Sequence, residues 1–289
     1  MAAINKISNY LSLIKFSHTI FALPFAIIGY FLAVTFTHAA FDIRLFALVV
    51  LCMIFARSAA MAFNRYIDRK IDEQNARTAI REIPAGIVKP SSALTFVIIN
   101  CILFIGTTFF INTLCFYLSP IALLVVLGYS LTKRFTALCH LILGLGLSLA
   151  PIGAYLAVTG KFDWLPLFFS FAVLFWVAGF DIIYALQDEE FDRSKELRSI
   201  PVALGKSGAL MLSNVLHLIS ASFIIYAGFY AGFSTWYWVG TVIYCSLLIY
   251  QHLLVKSTDL SKVNLAFFTT NGIASVVFAI FVLIDLFVK

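Results

Sequence analysis

Residues 64–72 read Asn-Arg-Tyr-Ile-Asp-Arg-Lys-Ile-Asp, and this stretch places three oxygen-bearing side chains, Asn64, Asp68 and Asp72, four residues apart. On a helix with 3.6 residues per turn, each such step turns about 40° past a full turn. The three side chains therefore share one face of a predicted helix. The residues before this stretch are strongly apolar, so we expect the acidic face at the end of a membrane helix.

A second stretch, residues 181–192, reads Asp-Ile-Ile-Tyr-Ala-Leu-Gln-Asp-Glu-Glu-Phe-Asp. Asp188 and Asp192 repeat the four-residue spacing, and Asp181 lies seven residues before Asp188, close to the same helical stripe. This stretch also follows an apolar segment. The sequence thus predicts two acidic stripes, each at the end of a membrane-spanning helix.

The composition identifies the chain as an all-α integral membrane protein. Of its 289 residues, 62% are hydrophobic and 12% are charged, and the mean hydropathy of +0.99 is far outside the range of soluble globular proteins. Apolar runs of about 20 residues are long enough to cross a bilayer. We predict about nine transmembrane helices in a bundle, at residues 17–37, 44–63, 93–112, 114–131, 137–158, 164–186, 208–231, 236–255 and 265–287.

Basic residues predict the orientation of the chain in the membrane. Lys and Arg are concentrated in segments 64–92, 132–136, 187–207 and 256–262, whereas the alternate loops carry only Arg44 and Lys161. Because short basic loops stay in the cytoplasm, we expect a multi-pass protein of the cell inner (plasma) membrane with a cytoplasmic N-terminus and an external C-terminus. The formal charge of +6 is explained by these loops and by anionic lipid headgroups, so no nucleic-acid partner is expected.

The two acidic stretches belong to a degenerate internal repeat. A shift of 117 residues places Asn64 on Asp181, and it places Arg81 and Pro84 on Arg198 and Pro201. We therefore expect a single domain over residues 1–289 made of two halves, at about 16–135 and 136–255, with the ninth helix added after them.

Further candidate substrate-binding residues lie near the ends of other spans. Arg57 lies inside the second span on about the same face as Asn64, and an arginine inside a membrane needs a partner or a wet cavity. Lys15 and His18 open the first span; they either face the bundle or lie at the membrane interface, where Lys side chains extend to the headgroups.

Two interpretations of the acidic stripes are open. In one, the carboxylates hold Mg²⁺, which prefers oxygen ligands and typically bridges carboxylates to substrate phosphates. In the other, they form ion pairs with nearby cationic side chains such as Arg65, Arg69, Lys70 and Arg193. Two stripes, each followed by a basic loop that closes with Ile-Pro, favour the first interpretation. A diphosphate that leaves inside a membrane indicates an allylic lipid substrate, whose cation survives only where water is excluded and π faces stabilise it.

These motifs resemble those of the UbiA-type intramembrane prenyltransferases. The resemblance includes both aspartate-rich stretches, the loop Arg77-Thr…Arg81-x-Ile-Pro-x-Gly86 and the segment Tyr129-Ser-x-x-Lys133-Arg134, so it covers essentially the whole chain. It implies Mg²⁺-dependent transfer of a prenyl group from a polyprenyl diphosphate to an acceptor, usually aromatic, within a helical bundle that opens laterally to lipid.

The resemblance also implies roles for individual residues. The Mg²⁺-diphosphate would be bound by Asn64, Asp68, Asp72, Asp188 and Asp192, with Asp181 beside them. Arg134 would face an acceptor carboxylate or the diphosphate, and further substrate contacts would come from Arg65, Lys70, Tyr129, Lys133 and Tyr184. Many members have Asp directly after the motif Asn, where this chain has Arg65; that difference puts the acceptor, rather than the metal, in question.

The stretch from Arg57 to Arg65 is most similar to the 4-hydroxybenzoate polyprenyltransferase-like subgroup, which implies an aromatic acid as acceptor in quinone biosynthesis. A naphthoate or futalosine-derived acid of a menaquinone pathway is the alternative. The base that removes the ring proton is expected to be Asp188 or the released diphosphate. A different class, a cation-coupled transporter, is less consistent with the sequence, because transporters place ionisable groups near the bilayer midplane, whereas here all but Arg57 cluster at span ends.

Overall fold

The computed structural model describes residues 9–14 and 21–288. After a short helical segment at residues 9–13, the described chain is a bundle of helices with no strand beyond one isolated bridge, between Lys256 and Asp259. The helices are α1 (Leu23–Phe36), α2 (Ile43–Asp72), α3 (Pro90–Phe109), α4 (Thr113–Thr132), α5 (Cys139–Thr159), α6 (Trp164–Ala185), α7 (Glu189–Ser194), α8 (Ile200–Ala231), α9 (Thr235–Leu254) and α10 (Asn271–Val288).

Eight segments of the described chain are long and apolar enough to cross a membrane. They are α2 to α6, α8, α9 and the segment Leu265–Val288, and the segment with α6 runs on to Ser194. The first predicted span, 17–37, contains the 14-residue helix α1, and Lys15 and His18 lie outside the described residues. The all-helical membrane fold is therefore confirmed, and the count of nine spans stays a prediction.

The first acidic stretch lies on α2, which continues without a break to Asp72, nine residues beyond the predicted end of the span at residue 63. Arg69 and Lys70 lie in its last turn, where positive charge interacts favourably with the helix dipole. The helix therefore extends beyond the apolar segment and presents Asn64, Asp68 and Asp72 along one side, as the spacing predicts.

The second acidic stretch does not continue as one α-helix, which corrects the prediction of a single regular stripe. Helix α6 ends at Ala185, a 3₁₀ turn spans Leu186–Asp188, and α7 begins at Glu189. A 3₁₀ turn has three residues per turn instead of 3.6. Asp181, Asp188 and Asp192 consequently lie on three different elements, so their relative directions do not follow from helical periodicity.

The basic segment that follows α7 is shorter than predicted, because α8 begins at Ile200 rather than at residue 208. Ser199 accepts a hydrogen bond from the amide of Val202, and Pro201 lies in the first turn, where its missing N–H costs nothing. Gly205 interrupts the helical geometry with φ 68° and ψ 171°, a conformation that glycine adopts easily. Helix α8 therefore starts at the second Ile-Pro pair and bends shortly afterwards.

The core lies between α1, α6, α8, α9 and α10. Its largest buried side chains are aromatic, with Trp176 and Phe169 of α6 packed among rings from neighbouring helices. Small residues allow helices to approach closely: a Cβ atom at Gly144 of α5 would lie 2.3 Å from the carbonyl oxygen of Leu174 in α6. This close contact fixes α5 against α6, the two helices that carry His140 and Asp181.

A buried carboxylate near the end of the chain caps α9 from outside that helix. Asp285 of α10 is fully buried. It accepts hydrogen bonds from the amides of Ser234 at 2.9 Å and Tyr237 at 3.0 Å, and from the Ser234 hydroxyl at 2.5 Å. The first amides of a helix have no partner within the helix. The Asp285 carboxylate supplies those partners and joins α10 to the start of α9.

We expect Asp285→Ala to destabilise the protein by about 3 kcal/mol, because the buried amide of Tyr237 and the more exposed amide and hydroxyl of Ser234 lose their acceptor, and each buried donor left without a partner costs on the order of 1–3 kcal/mol. The measurement is the midpoint of thermal unfolding in detergent. Unfolding is monitored as the loss of the monodisperse peak on size-exclusion chromatography. Asp259→Ala is the control, since Asp259 lies on the surface. An Asp285→Ala midpoint equal to that of the control would contradict the capping role.

Candidate active site

The two acidic stretches line one cavity of about 270 Å³ at the ends of α2 and α6; we call it the carboxylate cavity. Its walls come from α2, the loop after α2, the end of α4, the start of α5, α6 and α7, with Phe21 and Phe267 closing one side. The charged and polar residues of this cavity include Arg57, Asn64, Arg65, Asp68, Asp72, Asn75, Arg77, Thr78, Arg81, Tyr129, Ser130, Lys133, His140, Asp181, Tyr184, Asp188, Asp192 and Ser199.

Asp68 occupies the centre of the α2 wall and is only 2% exposed. Its carboxylate lies 3.0 Å from Lys133 Nζ and 2.7 Å from Arg134 Nη2, and it accepts a 3.3 Å hydrogen bond from the side-chain amide Nδ2 of Asn64. Arg134 also donates to the carbonyl oxygen of Ser130 at 2.8 Å. Both basic residues that follow α4 are thus directed at one buried carboxylate.

Asp72 lies one helical turn further along the same wall and is 4% exposed. Its Oδ1 atom is 2.6 Å from Arg81 Nη1, whereas Oδ2 is buried without a hydrogen-bond partner among the described residues. A buried ionised oxygen without a partner is costly. Asp72 therefore has one oxygen available for a ligand.

Asp188 is held by the loop that follows α2. Its carboxylate pairs with the Arg77 guanidinium, whose Nε lies 3.0 Å from Oδ1, and it accepts a 3.2 Å hydrogen bond from Asn75. Arg77 also donates to the Tyr184 hydroxyl at 2.9 Å. Burial lowers the pKa of Arg77, but the hydrogen bonds and charge of Asp188 outweigh it and raise the pKa overall. Arg77 therefore stays cationic and ties the first loop to the second acidic stretch.

Asp181 lies deeper in the cavity and has a different kind of partner. Its Oδ2 atom is 2.7 Å from Nδ1 of His140, which is 4% exposed at the start of α5. The other ring nitrogen of His140 accepts a 3.3 Å hydrogen bond from the amide of Ile200. The remaining aspartate, Asp192 on α7, lines the same cavity.

A second cavity of about 350 Å³ joins the carboxylate cavity and is almost entirely apolar in its lining. It lies mainly between α2, α4 and α5; we call it the apolar cavity. Five residues line both cavities and form the junction: Arg57, Met61, Tyr129, Leu143 and Leu147. The charged groups therefore border a space suited to hydrocarbon.

Arg57 lies at this junction without an anionic partner. It makes no ion pair or hydrogen bond with any residue that the structure describes, and its Nε is buried without a partner. A guanidinium inside a membrane protein is expensive unless an anion or water satisfies it. Because the nearby carboxylates pair with other cations, Arg57 is free to bind an anionic ligand.

The comparison with known proteins identifies the family. Residues 22–273 match the UbiA prenyltransferase family. The chain is also 30% identical over 249 residues to the 4-hydroxybenzoate octaprenyltransferase of Nitrosomonas europaea. The matched region covers 85% of this chain and 84% of that protein. The chain belongs to the UbiA prenyltransferase family. The prediction of a prenyltransferase is thereby confirmed.

Solved UbiA structures have the same architecture. The apo form of a UbiA homologue from Aeropyrum pernix superimposes with a TM-score of 0.80 at 30% identity and covers 94% of this chain and 97% of its own. A UbiA homologue from Archaeoglobus fulgidus, solved with DMAPP and Mg²⁺, has a TM-score of 0.74 at 22% identity and covers 97% of this chain and 100% of its own. The helical bundle described above is the UbiA fold.

The donor atoms of this UbiA cavity suit a hard divalent cation. Within residues 9–14 and 21–288, no three His, Cys, Asp or Glu side chains converge on one point as a ready metal cluster. Mg²⁺ does not require one, since it usually takes one or two carboxylates together with water and substrate phosphates. The buried, unpartnered Oδ2 of Asp72 is a ligand atom of the required kind, so the residues present fit Mg²⁺.

Not all of the predicted site residues lie at the carboxylate cavity. Most of them line the carboxylate cavity, and Arg134 contacts it through Asp68. Lys70 does not fit the prediction of a substrate contact, because it is exposed and does not line the cavity. Two residues after Asp68, it is rotated about 200° around the helix, so it lies on the opposite face. Arg65, which replaces the usual Asp, is 6% exposed and lines the cavity.

Several residues of the cavity had no predicted role. Arg77 and Arg81 were part of the family-like loop, and their signal was their position directly after the first acidic stretch. His140 was detectable only as a polar residue at the start of an apolar span. Phe267 is placed by a π-helical segment, Leu265–Thr270, and such segments occur frequently at functional sites; no feature of the sequence indicated it.

Proposed function

We propose that this UbiA prenyltransferase transfers a polyprenyl group from a prenyl diphosphate to a ring carbon of an aromatic acid, with Mg²⁺ as cofactor, in quinone biosynthesis. One observation carries the proposal: two sets of carboxylates line one cavity, an apolar cavity adjoins it, and an unpaired guanidinium, Arg57, lines both cavities at their junction. The arrangement provides for an anionic leaving group, a hydrocarbon and an acidic acceptor within one site.

The diphosphate end of the donor lies between the two acidic stretches. Mg²⁺ would be held by Asn64, Asp68 and Asp72 from α2 and by Asp188 and Asp192 from the second stretch, and when bound it supplies charge that neutralises the leaving diphosphate. Lys133 and Arg134, which now neutralise Asp68, lie within reach of the same phosphates. The UbiA homologue solved with DMAPP and Mg²⁺ supports this assignment.

The acceptor is an aromatic acid whose carboxylate pairs with Arg57. The guanidinium binds carboxylates with two parallel hydrogen bonds, and Arg57 has no competing partner among the described residues. Arg134, which the resemblance offers for this role, is occupied by Asp68. Relatives named 4-hydroxybenzoate octaprenyltransferase support a hydroxybenzoate; a naphthoate or futalosine-derived acid also carries a carboxylate and is the alternative acceptor.

The reaction exchanges one bond for another. The allylic C–O bond breaks and diphosphate leaves with the electron pair; a pair of ring π electrons then forms the new C–C bond, and the ring carbon loses its proton to Asp188 or to the diphosphate. The rings of Phe180, Tyr184 and Phe267 line the cavity, where they exclude water and present π faces to the allylic cation. We place the site at the cytoplasmic side of the inner (plasma) membrane, with an external C-terminus, because the basic loops lie at that side.

The test is a mass-spectrometric product assay on purified protein in lipid nanodiscs, in which prenyl diphosphates of several lengths are offered with 4-hydroxybenzoate, 1,4-dihydroxy-2-naphthoate or futalosine-derived acids. We expect a prenylated aromatic acid that forms only when Mg²⁺ is present. Chelation with EDTA should lower the rate by at least about 100-fold, since several kcal/mol of charge stabilisation is lost. Added Mg²⁺ should restore it. Undiminished transfer in EDTA, or no transfer to any aromatic acid, would contradict the proposal.

A further inference from the structure

Asp181 differs from the other paired carboxylates of the cavity. Asp68, Asp72 and Asp188 each pair with a lysine or arginine, whereas the ring of His140 is the partner of Asp181 within the described chain. Asp181 also lies within α6, whereas Asp188 lies in the 3₁₀ turn that follows the end of that helix. It is therefore set apart from the carboxylates at the end of the bundle.

The hydrogen bonds of His140 determine which ring nitrogen carries the proton. The amide of Ile200 can only donate, so Nε2 of His140 accepts that bond and has the lone pair. In the neutral ring the proton is then on Nδ1, which donates to Asp181 Oδ2 at 2.7 Å. Ile200 is the first residue of α8, where amides have no partner within the helix. The second Ile-Pro pair thus positions His140, and His140 positions Asp181.

This arrangement leaves the other carboxylate oxygen available to a ligand. Asp181 Oδ1 has no hydrogen bond to any residue in the described ranges, and it is not among the buried unpartnered atoms. The Asp181 side chain is 22% exposed, and it lines the carboxylate cavity beside Phe180 and Tyr184. Because the bond to His140 fixes the orientation of the carboxylate, the unpaired Oδ1 atom can accept a hydrogen bond from a ligand in a defined direction.

We propose that Asp181 binds the ring hydroxyl group of the acceptor, with His140 as the residue that positions it. This inference rests on the proposed function and narrows it: Arg57 recognises the carboxylate and Asp181 recognises a hydroxyl on the same ring, so the substrate class is a hydroxylated aromatic acid. The hydrogen bond also increases electron density on the ring carbon next to the hydroxyl, which is the carbon that attacks the allylic cation. Asp181 is then a substrate-binding residue rather than a metal ligand.

The experiment compares two acceptors, 4-hydroxybenzoate and 4-methoxybenzoate, in wild-type protein and in Asp181→Asn. Wild type should bind the hydroxylated acid about 10- to 100-fold more tightly, because the methyl ether cannot donate to the carboxylate and the carboxylate loses a charge-assisted bond. In Asp181→Asn the ratio should fall to within about 3-fold. Affinities are measured by calorimetry in detergent with Mg²⁺ and geranyl thiolodiphosphate, an unreactive donor, so that binding is read without turnover.

His140 is tested by two substitutions. His140→Gln keeps an N–H donor near Asp181 and should retain most of the discrimination between the two acids, whereas His140→Ala should lose it while the donor affinity stays within about 3-fold of wild type. An equal loss of donor and acceptor affinity in His140→Ala would indicate a purely structural role and overturn the positioning role.

Three results separate this inference from the proposed function. Wild-type discrimination retained in Asp181→Asn would overturn the inference alone. A higher Mg²⁺ concentration for half-maximal donor binding in Asp181→Asn would overturn it too, by making Asp181 a metal ligand. Wild-type protein that binds and prenylates no aromatic acid would overturn the proposed function itself, and the inference with it.

Discussion

Replacement of Asp68 by asparagine is expected to lower kcat/KM for prenyl transfer by about 1,000-fold. The substitution keeps the shape of the side chain but removes the charge that Lys133 and Arg134 surround, at a position only 2% exposed. Two cations then lie in the cavity without their partner, and a ligand oxygen for the Mg²⁺-diphosphate is lost. Removal of one preorganised group that stabilises developing charge typically costs about 100- to 1,000-fold, and here both effects act together.

The measurement is the initial rate of prenylated product with saturating Mg²⁺, compared with wild type purified in parallel. Glu73→Gln is the matched control, since Glu73 is an exposed acid directly after Asp72 on the same helix end; it should keep wild-type activity within about 2-fold, as surface charges contribute little. Monodisperse protein from both variants shows that folding is intact. An Asp68→Asn enzyme within 10-fold of wild type would refute the role of α2 in diphosphate binding.

Replacement of Arg57 by methionine is expected to raise KM for the aromatic acid by about 100-fold, with KM for the prenyl diphosphate changed by less than about 3-fold. Hydrogen bonds to charged groups contribute about 1.5–3 kcal/mol each, and a bidentate pair is stronger still. Methionine fills a similar volume and suits the apolar cavity that Arg57 borders. The protein should therefore fold normally, since no described side chain loses an ion pair.

Arg134→Met provides the contrast. Arg134 is 2.7 Å from Asp68, so its loss should lower the affinity for the diphosphate at least as much as that for the acid. The measurement is a pair of saturation curves, one for each substrate, on each variant. If Arg134→Met raises the acceptor KM selectively and Arg57→Met does not, the carboxylate belongs at Arg134, as the family resemblance suggests.

The helical bundle and the first acidic stretch were predictable because both depend on local regularity. Runs of about 20 apolar residues span a bilayer whatever surrounds them, and the spacing of Asn64, Asp68 and Asp72 determines a common face on any α-helix. The same argument failed for the second stretch, because a 3₁₀ turn at Leu186–Asp188 interrupts the 3.6-residue period of the α-helix. Periodicity extends only as far as the helix continues, and the sequence does not mark where a helix tightens.

The sequence did not predict which charged side chains pair with each other. Arg77 lies 111 residues from Asp188, and Arg134 lies 66 residues from Asp68; many basic residues of the loops were equally eligible by composition. The same holds for Asp285, which appears in the sequence as a lone acid in an apolar span and in the structure as the cap of α9. Such pairs are decided by which helix ends meet, and that depends on packing between helices far apart in the chain.

Hydropathy, helical spacing and family motifs are local properties of the chain, and they were enough to predict a membrane-embedded helical prenyltransferase with two acidic stretches. The state of the charges became visible only in the folded bundle. Within the described residues, Arg57 and Arg65 make no ion pair and each has a buried Nε without a partner. Arg134 is engaged by Asp68, and Asp181 is held by His140. The physical reason is that the electrostatic state of a buried group depends on its neighbours in space, and in a bundle those neighbours come from different helices.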